Sequence, residues 1–227
     1  MASTWVYLAR HGEVLHAAEG RFFGHTDIAL SPAGLAQAEA LGERLGGEPI
    51  EAVYASDLAR ARRSAAPLAA ARATSVVALP PLREMAMGRW EGLTFAEIRA
   101  REPELCDRWL ADPFALPFPD GEGLGDLRAR AVPALRRVVE RHAGRRIAVV
   151  AHGGTNRVIL AEALGLPLGN IFRLAQDYGA WSLIEYRGEG AVVHLVNQRP
   201  SGAPETPPVE STLSRRPRPD DTRAGDA

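Results

Sequence analysis

Two apolar runs of strand length in this chain end in a histidine followed by glycine. Trp5-Val6-Tyr7-Leu8-Ala9 runs into Arg10-His11-Gly12, and Ile147-Ala148-Val149-Val150 runs into Ala151-His152-Gly153-Gly154. In open α/β sheets ligands sit at the carboxyl ends of strands, and glycine lets a ligand approach the backbone closely. Arg10 adds a rigid fork of donors that matches phosphate oxygens. A single such strand end fits a polar tip meeting solvent equally well. Two in matching contexts predict that the imidazoles of His11 and His152 converge on one pocket.

The rest of the chain alternates between strand and helix patterns. Strands are expected at residues 4–9, 52–55, 75–78 and 147–151. A helix is expected from Ser31, an N-cap with Pro32 at the first helical position, to the Gly46-Gly47 stop. Its residues Leu35, Ala38, Leu41 and Leu45 recur at three and four and predict a core-facing stripe. Further helices are expected at residues 58–72, after the Thr94/Glu97 capping box, at 127–142 and at 155–164. Residues 181–186 and 191–196, joined by Arg187-Gly188-Glu189-Gly190, read as a hairpin. The expected fold is α/β: a three-layer αβα sandwich on a mainly parallel sheet with an antiparallel C-terminal hairpin. Residues 1–199 are expected to form one domain. Residues 200–227, rich in Pro, Ser, Thr, Asp and Arg, are expected to be a disordered tail.

Composition narrows the chemistry. The 227 residues are 46% hydrophobic with a formal net charge of -1, and no stretch approaches the ~18 apolar residues that span a membrane. Nucleic acid and anionic membranes are not expected partners, and any positive field must be local. The N-terminal Met-Ala-Ser-Thr-Trp reads as the start of a strand rather than a secretion signal and Cys106 is the only cysteine, which together make the cytoplasm the expected compartment. All 27 basic residues are arginine. There is therefore no P-loop lysine, Schiff-base lysine or Ser-Lys dyad. Asp112 stands six residues after Cys106, where a cysteine-dependent phosphatase loop has arginine. Phosphate chemistry in this chain must rest on histidine.

Two more segments fit the same sheet edge. Ser56-Asp57-Leu58-Ala59-Arg60-Ala61 follows the second strand, so the turn into the next helix can aim Arg60 and helix-terminal N–H groups at the pocket. Arg60 suits a solvated helix face equally well, which is the reading for Arg62 and Arg63. Glu84 follows the third strand among Leu82, Met85, Met87 and Trp90, an apolar setting that suits a proton-donating carboxyl.

Together with Gly24-His25-Thr26-Asp27-Ile28-Ala29-Leu30-Ser31, Leu82-Arg83-Glu84 and Gly88-Arg89-Trp90-Glu91-Gly92, these segments resemble, in order and spacing, the histidine phosphatase superfamily. The resemblance to this family, also called phosphoglycerate-mutase-like, covers about residues 5–196, and the α-ribazole phosphatase branch looks nearest. It implies a phosphoglycerate-mutase-like fold and a metal-independent phosphomonoesterase, without cofactor, acting on a small phosphorylated metabolite. His11 would be the nucleophile that forms phosphohistidine, neutral because neighbouring guanidiniums disfavour another charge, with its tautomer fixed by a backbone carbonyl. Arg10, Arg60 and His152 would hold the phosphoryl oxygens, with Gly24 and Gly153 beside them. Glu84 would protonate the leaving oxygen and then activate water. A phosphoglycerate-type mutase and a regulatory phosphoprotein phosphatase are the alternatives; the oligomeric state is left open, with a homodimer, the commonest soluble assembly, as one candidate.

The chain also departs from the family pattern. Val14 and Ala17 stand where the family usually has Ser or Thr and then Asn, with His16 a candidate replacement, and Gly123 takes the Ser position of a Gly-Glu-Ser motif. The Arg-Arg-Ser-Tyr stretch of glycolytic mutases is missing, and Arg136-Arg137 reads as a solvated helix face. Residues 95–127 are expected over the pocket. Trp109, Phe114 and Phe118 either line it or pack as local core, and core is the favoured reading.

Overall fold

The computed structural model describes residues 2–112, 115–188 and 190–204. Strands β1 (Thr4–Arg10), β2 (Ala52–Ala55), β3 (Val76–Ala78), β4 (Arg146–Ala151), β5 (Trp181–Arg187) and β6 (Gly190–Gln198) form one sheet in the order β3-β2-β4-β1-β5-β6. The pairs β1/β4, β4/β2 and β2/β3 are parallel, while β5 runs antiparallel to both β1 and β6. The central strands β1 and β4 are nearly continuous apolar runs, as strands buried on both faces must be.

Successive side chains point to opposite faces, so each strand feeds two cores. Tyr7, Ala9, Val53 and Val150 pack with Leu41 and Leu45 of α1 (Pro32–Gly46) and with Ala65 and Leu68 of α2 (Ala59–Ala70). Val6, Leu8, Tyr54 and Val149 pack on the other side, with Leu127 and Leu135 of α5 (Leu124–Arg141) and Val158 of α6 (Gly153–Leu164). These are the three layers expected.

Local chemistry sets the helix starts. Ser31 Oγ accepts the N–H of Gly34 at 3.0 Å and donates to Glu13 at 2.7 Å, which caps α1 and ties it to the segment after β1. The buried face of α1 is Gly34, Gln37, Ala38, Leu41, Gly42 and Leu45, whereas Leu35 is 39% exposed, which corrects the expected stripe. Gly34 faces inward because its chain is pressed against Glu13, whose carbonyl oxygen would lie 2.0 Å from any Cβ there. α5 begins at Leu124, three residues earlier than the periodicity indicated, because the Asp126 carboxylate caps the N–H of Gly123 at 2.9 Å.

Between them, α3 (Phe95–Arg101) carries the expected Thr94/Glu97 capping box, and α4 (Pro103–Ala111) was not anticipated. Only Cys106 and Trp109 of α4 are buried, too few to show a helical period. Trp109 and Phe118 are each 2% exposed and pack with Trp90, at centroid separations of 5.3 Å for Trp90/Trp109 and 5.0 Å for Trp109/Phe118. They are core. Phe114 lies outside the described residues. So do residues 205–227 of the expected tail, whereas Pro200 is buried and the Pro204 carbonyl accepts from Gln37 Nε2 at 3.2 Å. No helix among the described residues is long and apolar enough to cross a membrane.

With this aromatic cluster as core, Trp109→Ala should lower stability by about 3–5 kcal/mol and leave unchanged the KM for the phosphomonoester turnover that the resemblance implies. Chemical denaturation paired with steady-state kinetics checks both; a raised KM at unchanged stability would return Trp109 to the pocket wall.

Candidate active site

The register of the two central strands builds the site. Arg10 pairs with Ala151, so the next residues, His11 and His152, leave the sheet side by side, and the N–H of His11 donates to the Ala151 carbonyl at 3.0 Å. Their ring centroids are 5.0 Å apart in an edge-on arrangement. β2 lies on the other side of β4 and ends level with it, Ala55 opposite Val150, so the turn into α2 delivers Arg60 to the same edge.

Each ring has a defined tautomer. His11 Nδ1 donates to the carbonyl of Gly12 at 2.7 Å, which leaves Nε2 unprotonated when the ring is neutral. Arg60 Nε donates to His152 Nδ1 at 3.3 Å, so the His152 proton sits on Nε2. Both imidazoles are buried, and burial, with the charges of Arg60 and Arg10, holds each pKa well below the ordinary histidine value. They are neutral at physiological pH.

The guanidiniums are fixed by backbone carbonyls. Arg60, 2% exposed, donates through Nη1 to Thr26 at 2.8 Å and through Nη2 to Gly24 at 2.6 Å. Burial lowers its pKa, and the charges of Glu84, Asp27 and Glu91 oppose that shift. Arg10 donates to the Gln176 carbonyl and lies 3.8 Å over the ring of Tyr178. Arg10 Nε and His152 Nε2 are buried with no protein partner. With His11, Glu84 and Arg157, Arg10 and Arg60 line a cavity of about 180 Å³.

Glu84 accepts from the N–H groups of Met85 at 2.9 Å and Gly154 at 2.8 Å, so backbone amides surround a carboxylate that the sequence placed among apolar neighbours. A Cβ at position 154 would stand 2.4 Å from Glu84 Oε1, which explains the second glycine after His152. The Glu84 segment is clamped by Arg130, which donates to the carbonyls of Pro81 and Arg83 at 2.8 Å and of Glu84 at 2.7 Å. The fork of Arg130 also grips Glu122, at 2.7 and 2.6 Å, and Glu122 in turn accepts from the N–H of Ala86 at 2.9 Å. Glu91 gathers the N–H groups of His25 at 2.7 Å, Gly24 at 3.1 Å and Thr26 and Met87 at 3.2 Å. Burial pushes the Glu91 carboxyl up, and these hydrogen bonds outweigh it and hold its pKa below the usual value.

The structure therefore brings together His11, Arg10, Arg60, His152, Glu84 and Gly153. Gly24 supports Arg60: its N–H donates to Glu91 at 3.1 Å and its carbonyl accepts from Arg60 at 2.6 Å. Val14 and Ala17 line the cavity, but His16 turns outward to Glu19 at 2.5 Å and replaces no contact there. Arg136 pairs with Glu162 at 2.7 Å on an exposed face, as its sequence context indicated.

Sequence reading missed four contributors. Arg130 and Glu122 act through loop backbone, and Tyr178 through the face of Arg10. Arg157, whose Nη1 lies near Gly153 beside Arg10, donates to the Leu174 carbonyl at 2.9 Å. Burial and then the charge of Arg10 bring its pKa down to about 10. Its position on the first turns of α6, directly after His152, was the available signal.

Comparison with known proteins agrees with this geometry. The sequence model of the histidine phosphatase superfamily (branch 1) matches residues 6–199. A metal-independent phosphoserine phosphatase of Arabidopsis thaliana is 38% identical over 200 residues, 86% of this chain and 78% of its own. A bifunctional protein of Mycobacterium tuberculosis is 37% identical over 199 residues; these are 86% of this chain but 54% of that protein, so the chain spans about half of that relative's length. Among solved structures, the α-ribazole phosphatase of Shigella flexneri superposes with a TM-score of 0.80 at 28% identity, covering 88% of this chain and all (100%) of that one.

The buried neutral imidazoles make a test possible without any substrate. The folded-state pKa of each is depressed, so below pH ~6.5 the unfolded chain binds more protons than the folded one. Stability is therefore present above that pH and should fall as the pH drops through it, by up to ~1.4 kcal/mol per pH unit for each ring. Thermal melts between pH 7.5 and 5 check this, and a His11→Asn, His152→Asn double variant should lose much of the slope. An unaltered slope would mean that the protons enter elsewhere.

Proposed function

The chain belongs to branch 1 of the histidine phosphatase superfamily, and on that premise we propose that it hydrolyses small phosphomonoesters through a phosphohistidine on His11, without a metal ion. One observation carries this reading. Two buried donors without protein partners, Arg10 Nε and His152 Nε2, stand at the same sheet edge as His11, whose Nε2 keeps its lone pair. That combination suits a phosphoryl group: a nucleophile at phosphorus and fixed donors at its oxygens.

The steps follow from the groups present. His11 Nε2 attacks phosphorus, and the N–P bond forms as the bond from phosphorus to the alcohol oxygen breaks. Glu84 in its acid form gives its proton to that oxygen, and the alcohol departs. Glu84, now a carboxylate, takes a proton from water; the water oxygen bonds to phosphorus, the N–P bond breaks, and inorganic phosphate leaves. Arg10, Arg60 and His152 bear the charge that spreads over the phosphoryl oxygens. Because their donors are locked by carbonyls and burial, little reorganisation is needed as that charge develops. The guanidiniums supply the positive charge that a metal ion supplies elsewhere, and no group of three or more His, Cys, Asp or Glu side chains that would hold a metal occurs among the described residues. The phosphoserine and α-ribazole phosphatases among the relatives support a small phosphorylated metabolite as substrate.

With a chelator present, the protein should hydrolyse an aryl phosphate, and His11→Ala should abolish that activity; a fully active variant would sink the mechanism. The role of Glu84 is separable from phosphate binding. Glu84→Gln should lower kcat/KM, which reports formation of the phosphohistidine, by ~10²- to 10⁴-fold for alkyl phosphates and far less for 4-nitrophenyl phosphate, because nitrophenolate leaves without a proton. Arg130→Met should show the same leaving-group split in kcat/KM, to a smaller degree, if Arg130 positions Glu84. A uniform loss across both esters would assign Arg130 to stability alone.

A further inference from the structure

The cavity that holds His11 has walls of two kinds. The residues that follow β1, β2 and β4 bring charge: Arg10, Arg60 and Arg157. The remaining wall comes from residues 14–23 and 85–87, the start of α5 and the turn Leu168–Arg173, and it is apolar: Val14, Ala17, Phe23, Met87, Leu124 and Phe172. No Ser, Thr, Asn, Gln or Asp among the described residues lines the cavity, and the one hydroxyl-bearing side chain there, Tyr178, packs against Arg10 and His11 on the charged side. Among the described residues Arg21 is the one cation on that wall, and it is engaged. Its Nε donates to Glu19 at 2.7 Å, and its Nη1 to the Gly92 carbonyl at 2.7 Å and to Glu97 at 3.0 Å.

We propose that this site selects phosphomonoesters whose alcohol part is compact, apolar and uncharged, an aromatic or branched hydrocarbon group rather than an amino acid, a glycerate or a sugar. The inference rests on the phosphatase reading above and names the substrate class of the same site. A carboxylate, an ammonium or several hydroxyls on the alcohol would lose water against this wall and find no side-chain partner in return. A hydrocarbon group gains by burial there. The cavity of about 180 Å³ has to hold the phosphoryl group too, and a benzene ring alone occupies a cavity of ~150 Å³, so the enclosed part of the alcohol is no larger than one ring. Arg157 stands between the two walls, its Nη1 3.2 Å from where a Cβ on Gly153 would lie and its guanidinium 5.4 Å over the Phe172 ring, and in this reading its charge is taken by the phosphoryl group.

The test compares alkyl esters with leaving oxygens of similar reactivity: benzyl phosphate, O-phosphoserine and 3-phosphoglycerate, with methyl phosphate as the ester lacking any such group. The full chain should turn over benzyl phosphate with a kcat/KM ~10²-fold above those of phosphoserine and 3-phosphoglycerate. Phe23→Ser should lower the ratio of kcat/KM for benzyl phosphate to that for methyl phosphate at least 10-fold, and Arg157→Met should weaken all four esters alike. Equal or faster turnover of phosphoserine or 3-phosphoglycerate overturns the inference, as does a selective loss of those two esters in Arg157→Met, which would make Arg157 a carboxylate ligand. The phosphatase reading stands in both of those cases, provided that hydrolysis still requires His11. It falls only if the wild-type chain hydrolyses none of the esters or if His11→Ala retains activity.

Discussion

The parallel pairing of β1 with β4 is the constraint on which the site depends. Two adjacent strands in this register end at the same level, so the residues after Arg10 and Ala151 have to emerge together. A one-residue slip would turn every side chain of one strand to the other face and separate the two rings. The slip is prevented by the cores themselves, because Val6 and Leu8 are committed to one layer and Tyr7 and Ala9 to the other. Burial of ordinary aliphatic side chains thus fixes a contact between two imidazoles to which those side chains contribute no atom.

Concentrating charge at that edge is costly, and the surroundings show how the cost is met. Arg60 is as buried as the core aromatics, and a buried guanidinium must have its donors satisfied. Carbonyls of the 24–26 loop do this without neutralising it. That loop is itself held by Glu91, which collects the backbone N–H groups the loop would otherwise leave unpaired. Arginines, carbonyls and a remote carboxylate therefore form one chain of dependence from the surface inward. The positive field remains local in a protein whose formal net charge is only -1.

The loop that carries Glu84 is organised by the same logic from the other side. It has no regular hydrogen bonding of its own beyond short turns, so α5 and α6 supply the partners: Arg130 binds the carbonyls of Pro81, Arg83 and Glu84, and Gly154 offers an N–H to the carboxylate. The departures at Val14 and Ala17 acquire a physical meaning in this setting. They stand on the cavity wall beside Phe22 and Phe23, so they extend an apolar surface where a hydroxyl and an amide would have broken it.

Much of this was legible in the chain before any folding. Strand order in sequence, the α1 cap at Ser31, the hairpin and the meeting of His11 with His152 follow from local patterns: apolar runs, capping residues and polar residues just past strand ends. Arg60 and Glu84 joined that pair through the family resemblance, since each also suited a solvated position. What stayed hidden depends on contacts between distant segments. Leu35 looked like part of the core stripe until Gly34 had to lie against Glu13. Gly24 gave no sign that Glu91 and Arg60 hold its backbone. α4 shows only two buried residues, too few for periodicity to register, and Arg130 reads as one more solvated arginine in a chain with 27 of them. The sequence by itself determined which residues could do the chemistry and at which edge of the sheet they would gather, because side-chain period and strand ends are local properties. The tertiary structure alone decided which arginines are locked or free and how polar the cavity wall is, because hydrogen-bond satisfaction and burial depend on what the rest of the chain brings alongside.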